Sequence, residues 1–386
     1  MTLSLGNLRI KIDHYLLILF ALATLVVAYA WYIIPHGPNY GGPPYFEGSD
    51  SAFWFKLTES IFEYKDSVAR HRPFFALIAW AMYNPIFYFF PTIDVPFFLN
   101  LVWRIQNIFF YLLSIYCCFS GTVLLTKSRH KAFYATLFLV ASSHCFAWLM
   151  QPIINLQGKA IHFISLYLLI DYIQKKSTKK LVIYSLIYGL FMLGKGQMNI
   201  LVAIGLATLF LNRKSLKDFV IFTGVQFIPL VLWVIFLKAI GSGYRNYELE
   251  WHGAFYWLKD VDFKSFVSIV LFFKDMVTKL TSALIIGLGP FSFFVTIGFP
   301  FLIWREKLGK FLMLYLIATT LFLYVVTFLM VRHAGDFSPV TYLGYAYLID
   351  YIRHKIKPNL FYPGLIVLTI AMFMVNLNPE IYLPIY

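Results

Sequence analysis

Charged residues beside apolar segments are the first candidates for chemistry in this chain, and Asp50 leads them. It follows Gly48 and Ser49 at the start of an amphipathic stretch. A carboxylate held by a tight turn can take the proton of a hydroxyl group and so act as a general base. Glu47 lies one helical turn earlier and is both the nearest alternative base and a candidate substrate ligand. Asp50 or Ser49 would also suit a helix N-cap, so the sequence leaves a structural role open.

Basic residues supply groups that could bind an anionic substrate. Arg72 belongs to a dense RHRP run before an apolar segment, and Arg104 lies a turn or two inside an apolar span without a local carboxylate. Lys195 is flanked by glycines, which let another group approach the backbone. Arginine can bind phosphate through two parallel hydrogen bonds, so these positions indicate a phosphate clamp. The other candidate substrate ligands are Lys159, at a helix end, and Arg332 and His333, at the end of another apolar span.

Structural interpretations compete with these functional ones. Arg72 could contact lipid headgroups, and Arg332 is spaced to pair with Asp336 four residues later. Long or polar side chains near helix ends can also reach water while their stems stay buried. On that ground we interpret the following residues as structural: His14, His162, Asp171, Lys238 and Asp350.

The sequence predicts neither a metal site nor another cofactor. A metal site would have to be built from Asp50, His71, His333 and Asp336, which lack the spacing of metal ligands. The cysteines, at positions 117, 118 and 145, all lie in apolar segments and suit packing. A divalent metal is therefore not indicated.

The composition is that of an integral membrane protein. Of the 386 residues, 60% are apolar, 20% aromatic and only 13% charged. Soluble proteins carry about 25% charged residues, so this chain has too little charge to coat a globule in water. The net charge of +14 comes from basic residues that lie between apolar runs. They are better explained as topology signals than as a nucleic-acid surface, and no nucleic-acid partner is expected.

Apolar runs recur often enough to predict an all-α polytopic protein with about eleven transmembrane helices. The runs cover residues 15–34, 97–125, 132–150, 160–174, 181–194, 200–211, 219–240, 277–304, 311–331, 340–352 and 360–375. We treat residues 1–386 as a single membrane domain. The first run is long for the apolar core of a signal peptide, so it is expected to remain as a helix.

The charge of the loops predicts the orientation. Compact basic clusters at every second connection, with the N-terminal Arg9 and Lys11, hold 18 of the 32 basic residues. The alternate loops hold 13 of the 18 acidic residues. By the positive-inside rule, the N-terminus and the basic clusters are cytoplasmic and the acidic loops face the opposite side.

Two long loops lie on that outer side, at residues 35–96 and 241–276. Residues 50–65 have the spacing of an amphipathic helix at the membrane surface. Residues 73–90 are apolar enough to cross, but a crossing would invert every later basic loop. They are therefore predicted to be a second juxtamembrane or re-entrant segment. The outer face thus gathers cations and a carboxylate beside apolar surface, as a phosphorylated lipid substrate would require.

The order of these elements resembles the GT-C superfamily of polyprenyl-phosphate-sugar-dependent membrane glycosyltransferases. The resemblance rests on four segments: 47–54 (EGSDSAFW), 70–75 (RHRPFF), 189–197 (GLFMLGKGQ) and Arg332-His333 with Pro339. The order and spacing of these elements match over about residues 15–345, most of the chain. The chain has a lone Asp50 in place of a tandem acidic pair, which argues against metal dependence. It also shows no large C-terminal outer domain, which argues against a long-type oligosaccharyltransferase.

The resemblance implies a function and a role for each matching residue. Asp50 would be the general base, and Arg332 and Lys195, with Arg104 and Arg72, would bind the donor phosphate. The partners would be a polyprenyl-phosphate-linked sugar and a lipid, glycan or protein acceptor, at the outer face of a bacterial plasma membrane. Two alternatives remain: a flippase or transporter of lipid-linked sugars, and an enzyme of the O-antigen ligase or polymerase type. A transporter usually shows charges at mid-membrane and paired repeats, which are not evident here.

Overall fold

The computed structural model describes residues 2–5, 8–11, 13–33, 58, 73–92, 95–150, 155–194, 205, 215–242, 261–289, 291–325 and 331–377. Two short strands, β1 (Thr2–Leu5) and β2 (Leu8–Lys11), pair as an antiparallel hairpin before the first helix. Apart from this short hairpin the described fold is helical, which confirms the predicted all-α class. The hairpin forms where alternating apolar and polar residues precede the first long apolar run.

Helices make up nearly all of the remaining described residues. In the first half of the chain they are α1 (His14–Ile33), α2 (Pro73–Phe89), α3 (Val95–Thr126), α4 (Arg129–Val140), α5 (Ser143–Leu149), α6 (Asn155–Lys175) and α7 (Thr178–Met192). The second half holds α8 (Leu216–Gln226), α9 (Ile228–Ala239), α10 (Phe266–Leu288), α11 (Ser292–Leu302), α12 (Lys307–Val325), α13 (Ser338–Arg353) and α14 (Pro358–Asn376). A 3-10 helix, Val331–Phe337, connects towards α13.

Several predicted spans are interrupted. The 132–150 run divides into α4 and α5 at Ala141 and Ser142, and the 219–240 run divides at Phe227, just before Pro229. The 277–304 run becomes α10 and α11, which meet at a bend of 103°. Helix α10 also begins at Phe266, inside the predicted outer loop 241–276. The 200–211 run and the predicted amphipathic helix 50–65 lie outside the described residues, apart from Gly205 and Thr58.

The described part of the fold contains helices that are long and apolar enough to cross a membrane, although fewer than the number of apolar runs in the sequence. Within the described residues, four helices are long and apolar enough to cross a membrane, and the bent α10–α11 pair would make a fifth. The four are His14–Ile33, Phe97–Thr126, Leu216–Ala239 (α8 and α9 taken together) and Pro358–Asn376. Large apolar side chains on these helices point outwards, such as Leu25, Leu232 and Val367. The count of about eleven stays a prediction.

Similar turns connect consecutive helices at one end of the bundle. Lys127 and Lys176 adopt positive φ angles of 57° and 54°. Each is followed by a serine, Ser128 or Ser177, whose side chain accepts a hydrogen bond from a backbone N–H of the next helix. Such a cap satisfies one of the unpaired N–H groups at a helix start. The two serines therefore mark where α4 and α7 begin.

The central layer is built by α3, which packs against α4 and α6, while α13 packs against α4. Its buried side chains include Trp103, Tyr111 and Phe146. Close helix contact needs small residues, as at Gly344 on α13, where an added Cβ would lie 2.5 Å from Val295 Cγ1. This layer brings the N-terminal part of α6 against α13 and the 3-10 helix.

The helices separate two ends of the protein. Ion pairs join Asp13 to Arg129 and Lys131 to Asp350, so the start of α1, the start of α4 and the end of α13 meet at what we name the basic end. The C-terminus of α6 lies there too, because Gln174 Nε2 donates to the carbonyl oxygen of Leu124 near the end of α3. The opposite end, which holds the N-terminus of α6 and the 3-10 helix, is named the site end.

Candidate active site

Lys159 lies in the interior at the site end. It is 1% exposed, and its Nζ donates to Ser142 Oγ at 2.8 Å and to Tyr342 Oη at 3.2 Å. Tyr342 also donates to Ser142 Oγ at 2.8 Å, so the three groups form a closed set. Ser142 is available because the break between α4 and α5 falls at this residue. A substrate phosphate that reached Lys159 would replace or extend these contacts.

A second polar group lies one turn further along α6. His162 Nε2 is 3.1 Å from Asp336 Oδ1, and His162 Nδ1 is 2.8 Å from Tyr315 Oη. Tyr315 in turn donates to the backbone carbonyl oxygen of Asp336 at 2.7 Å. All three residues are almost completely buried. They join α6, α12 and the 3-10 helix through a closed loop of contacts. We call these three residues together the histidine ring, a name that refers to the loop and not to the imidazole.

Helix geometry explains why these groups share a region. Lys159 and His162 are three residues apart, which places them on the same face of α6. That face meets α13 through Tyr342 and the 3-10 helix through Asp336. Asp336 is also close enough to interact electrostatically with Lys159. A buried cation, a carboxylate and an imidazole therefore lie around one turn of one helix.

Polar contacts continue from this region towards α2. Gln157 Nε2 donates to Asn107 Oδ1 at 2.9 Å, and Gln106 Nε2 donates to the carbonyl oxygen of Phe75 at 3.2 Å. These side chains are buried, as polar groups can be when they are hydrogen-bonded. The interior at the site end is thus polar between α3 and α6, although the segments that form it are apolar overall.

Arg104 lies close to these contacts, one helical turn before Asn107. It is 7% exposed, its Nε donates to Asn100 Oδ1 at 3.0 Å, and its guanidinium lies 5.5 Å from the centre of the Trp31 ring. A cation over an aromatic face is attracted to it, which helps to hold the side chain in place. An amide and an aromatic ring thus hold the Arg104 side chain.

The segments that carry Arg72 and Lys195 meet through their described neighbours. Phe74 donates its backbone N–H to the carbonyl oxygen of Leu193 at 3.1 Å. A Cβ added at Gly194 would lie 2.7 Å from the Phe75 ring, so glycine permits this close approach. Residues 73–89 are helical, as α2, and their predicted juxtamembrane or re-entrant placement stays a prediction.

The other predicted site residues fall outside what the structure describes. Glu47, Asp50, Arg72 and Lys195 are not among the described residues. The backbone of Arg332 and His333 belongs to the 3-10 helix, in the same seven residues as Asp336, while their side chains are not described. The roles assigned to all these positions stay predictions. Within the described residues, no group of three His, Cys, Asp or Glu side chains is arranged to hold a metal ion.

Sequence reasoning missed much of the buried cluster. The sequence predicts a structural role for His162 and a pairing of Asp336 with Arg332. The structure joins Asp336 to His162, and the side chain of Arg332 is outside its description, so that pairing stays a prediction. The three-residue spacing of Lys159 and His162 was a signal that could have linked them. Ser142, Tyr315 and Tyr342 carried no comparable signal, because their contacts depend on helices far apart in the chain.

No family model matches the chain, and no curated protein matches it in sequence. Solved structures do match. The crystal structure of the Archaeoglobus fulgidus oligosaccharyltransferase, tethered to an acceptor peptide with the NVT sequon, aligns with 96% of this chain at a TM-score of 0.60 and 13% identity. The chain therefore shares the fold of this oligosaccharyltransferase over nearly all of its length. That likeness is consistent with the resemblance to the GT-C superfamily.

A second solved structure gives the same result with a lipid present. It is the archaeal oligosaccharyltransferase AglB from Archaeoglobus fulgidus in complex with an inhibitory peptide and a dolichol-phosphate, with a TM-score of 0.60, 12% identity and 94% of this chain covered. The chain spans about half the length of these two solved structures, 56% and 55%. The likeness thus concerns a shared fold across nearly all of this chain and only part of theirs.

Proposed function

We propose that this protein is a GT-C-type glycosyltransferase that transfers a sugar from a polyprenyl-phosphate donor to an acceptor hydroxyl. The observation that carries the proposal is the shared fold over 94–96% of the chain, because one of the matching enzymes is bound to a dolichol-phosphate. The acceptor would be a lipid, a glycan or a protein. Transfer would take place at the outer face of the plasma membrane, where the site end would lie.

The charges at the site end support a phosphorylated donor. Arg104 and Lys159 are buried cations within or beside polar contacts, and the 3-10 helix that contains Arg332 and His333 lies against α6. Cations placed before the reaction stabilise the negative charge that develops on a leaving phosphate. Such stabilisation does not require a metal ion. The predicted donor ligands Arg72 and Lys195 adjoin, in sequence, two segments that contact each other. Arg72 precedes α2, and Lys195 follows Gly194.

The chemistry can be written with balanced atoms. The acceptor hydroxyl oxygen forms a bond to the anomeric carbon while the bond from that carbon to the phosphate oxygen breaks. The hydroxyl proton passes to Asp50, and the polyprenyl phosphate leaves with the bonding electron pair. Direct displacement of this kind inverts the anomeric centre. Glu47 is the neighbouring carboxylate that could accept the proton if Asp50 is removed.

The test compares Asp50→Asn with Asp275→Asn. Asp275 is exposed and pairs with Lys279, so its substitution controls for the loss of a carboxylate outside the site. A panel of polyprenyl-phosphate hexoses and pentoses is supplied to the purified protein together with lipid, glycan and peptide acceptors, and the release of polyprenyl phosphate that depends on the acceptor is measured. General-base catalysis is worth about 10²–10⁴-fold, so Asp50→Asn should slow release at least about a hundredfold. Donor binding and protein yield should stay at the wild-type level.

Several outcomes would contradict the proposal. Full activity of Asp50→Asn would show that Asp50 is not the general base. Equal losses of activity in Asp50→Asn and Asp275→Asn would show that the effect is structural. If the wild type moves a labelled lipid-linked sugar across a vesicle membrane without releasing polyprenyl phosphate, it is a transporter. Mass spectrometry of lipids that copurify with the protein would identify the sugar and the carrier.

A further inference from the structure

We propose that His162 and Tyr315 are positioning residues that fix the 3-10 helix Val331–Phe337, and with it Arg332 and His333, against α6. The consequence for catalysis rests on the proposed function. The positioning itself rests on the contacts of the histidine ring. These contacts hold Asp336 twice, once by its side chain and once by its backbone carbonyl.

Double attachment restricts the 3-10 helix more than a side-chain contact alone would. A bond to the Asp336 carboxylate would let the backbone rotate about the side-chain torsions. The Tyr315 hydroxyl also holds the carbonyl oxygen of the same residue at 2.7 Å, and it touches His162 Nδ1 at 2.8 Å. The three contacts close a ring, so the backbone of Asp336 cannot turn without breaking at least one of them.

The protons of the ring can be assigned from its geometry. Tyr315 has one hydroxyl proton, which goes to the Asp336 carbonyl oxygen. The contact between Tyr315 Oη and His162 Nδ1 then uses a proton on Nδ1. The contact between His162 Nε2 and Asp336 Oδ1 needs a further proton, carried either by the imidazole or by the carboxyl group. The histidine therefore acts as a two-sided connector, which a side chain with one polar atom could not replace.

The segment held by the ring needs such support. A 3-10 helix has poorer hydrogen-bond geometry than an α-helix and is rarely long. This one spans seven residues, and Arg332 and His333 precede Asp336 by four and three positions. Movement of the Asp336 backbone would therefore shift both predicted donor ligands. Burying ionisable groups such as His162 and Asp336 costs desolvation and is a poor source of stability, which favours a role in specifying geometry.

The choice of variants isolates the ring from ordinary core damage. Tyr315→Phe removes only the hydroxyl that links His162 to the Asp336 backbone. Tyr111→Phe is a matched control, because Tyr111 is equally buried and donates to the carbonyl oxygen of Val140 at 2.7 Å. Both substitutions delete a buried bond from a tyrosine to a backbone carbonyl. Only Tyr315→Phe deletes one to the 3-10 helix.

Amide hydrogen exchange of the full chain in nanodiscs, read by mass spectrometry, gives the first measurement. Loss of one buried hydrogen bond should speed exchange in peptides covering 331–337 by about tenfold in Tyr315→Phe. Tyr111→Phe should leave these peptides unchanged. His162→Gln, which keeps an N–H near the Asp336 carboxylate, should protect the segment better than His162→Leu. Equal exchange in Tyr315→Phe and Tyr111→Phe, or no difference between the two His162 variants, would overturn the positioning role.

Donor kinetics provide the second measurement. Tyr315→Phe should raise the KM for the polyprenyl-phosphate donor several-fold more than Tyr111→Phe and leave the KM for the acceptor unchanged. An equal rise in both KM values would overturn the link between the ring and donor binding. The exchange experiment needs no substrate, so it tests the positioning role independently of the proposed function. Failure of Asp50→Asn to lose activity, with selective exchange retained, would reject the general base alone.

Discussion

The two ends of α6 hold buried carboxylate contacts of opposite character. At the basic end, Asp171 is bound by Lys175, Lys180 and Tyr184, which follow it closely in the chain. The two lysines are 55% and 34% exposed and can turn to water. At the site end, Asp336 is bound by His162, which is only 1% exposed and lies far away in sequence.

The separation along the helix is large enough to keep the two environments apart. Lys159 and Asp171 are twelve residues apart on α6, which corresponds to about 18 Å along its axis. At the basic end, charge is neutralised locally and remains near solvent. At the site end, ionisable groups are held inside the protein by helices from distant parts of the chain. Burying ionisable groups in this way costs free energy without an obvious gain in stability, which is typical of functional regions.

Cysteine labelling from the two sides of the membrane tests whether the ends face different compartments, and its effect should be close to all-or-none. Ser177→Cys lies at the basic end and should react only with reagent on the cytoplasmic side. Ser242→Cys follows α9 and should react only from outside. The native cysteines are buried and should give little background. Reversed accessibility at either position would overturn the predicted orientation and the outer placement of the site.

Substitution of the two buried acidic residues should destabilise the protein more at the site end than at the basic end. Asp336→Asn removes the carboxyl group that contacts His162, and a buried polar group that loses its partner costs up to about 3 kcal/mol. Asp171→Asn should cost only about 1 kcal/mol, because its lysine partners can be hydrated instead. Thermal unfolding in a single detergent, followed by loss of the monodisperse protein, compares the two. Equal losses would mean that the burial of Asp336 has no special consequence.

The difference between local contacts at the basic end and long-range contacts at the site end also explains what the sequence could predict. The helices 15–34, 97–125, 160–174 and 340–352 were placed close to their observed bounds, because long apolar runs with basic ends constrain them. The structural role of Asp171 was also predictable, since Lys175 lies one turn away on the same helix. Local spacing contains this information directly.

Contacts between distant helices were not predictable in the same way. The Lys159–Tyr342 and His162–Tyr315 contacts join residues 183 and 153 positions apart. The break between α4 and α5, which places Ser142 near Lys159, lies inside what reads as one apolar run. Hydropathy reports the polarity of a segment but not which face meets which neighbour. Candidate residues could therefore be named, while the histidine ring could not.

Lysine substitution should show a smaller form of the contrast. Lys159→Met keeps much of the apolar stem but removes the ammonium group from Ser142 and Tyr342, which we expect to cost about 2 kcal/mol. Lys180→Met should cost no more than about 0.5 kcal/mol, because its contact with Asp171 is partly exposed and Lys175 remains. Both are measured by the same unfolding assay. A cost for Lys180→Met that matched that of Lys159→Met would remove the contrast between the ends.

The smallest expected effect is a pH dependence at the basic end. Burial, together with the positive charge of Arg353, lowers the pKa of His130, which lies in the first turn of α4. Its Nε2 is 3.0 Å from Tyr15 Oη. A histidine whose pKa falls on folding contributes stability above its ordinary value of about 6.5, and that contribution is lost as the pH falls through the folded-state pKa. Because His130 is partly exposed, screening should limit the change to a few tenths of a kcal/mol, on the order seen for surface charges. His130→Gln cannot titrate, so the difference in unfolding temperature between wild type and His130→Gln should favour wild type more at pH 8 than at pH 5. A difference that stayed constant with pH, or that favoured wild type more at pH 5, would show that protonation of His130 does not oppose folding at this end.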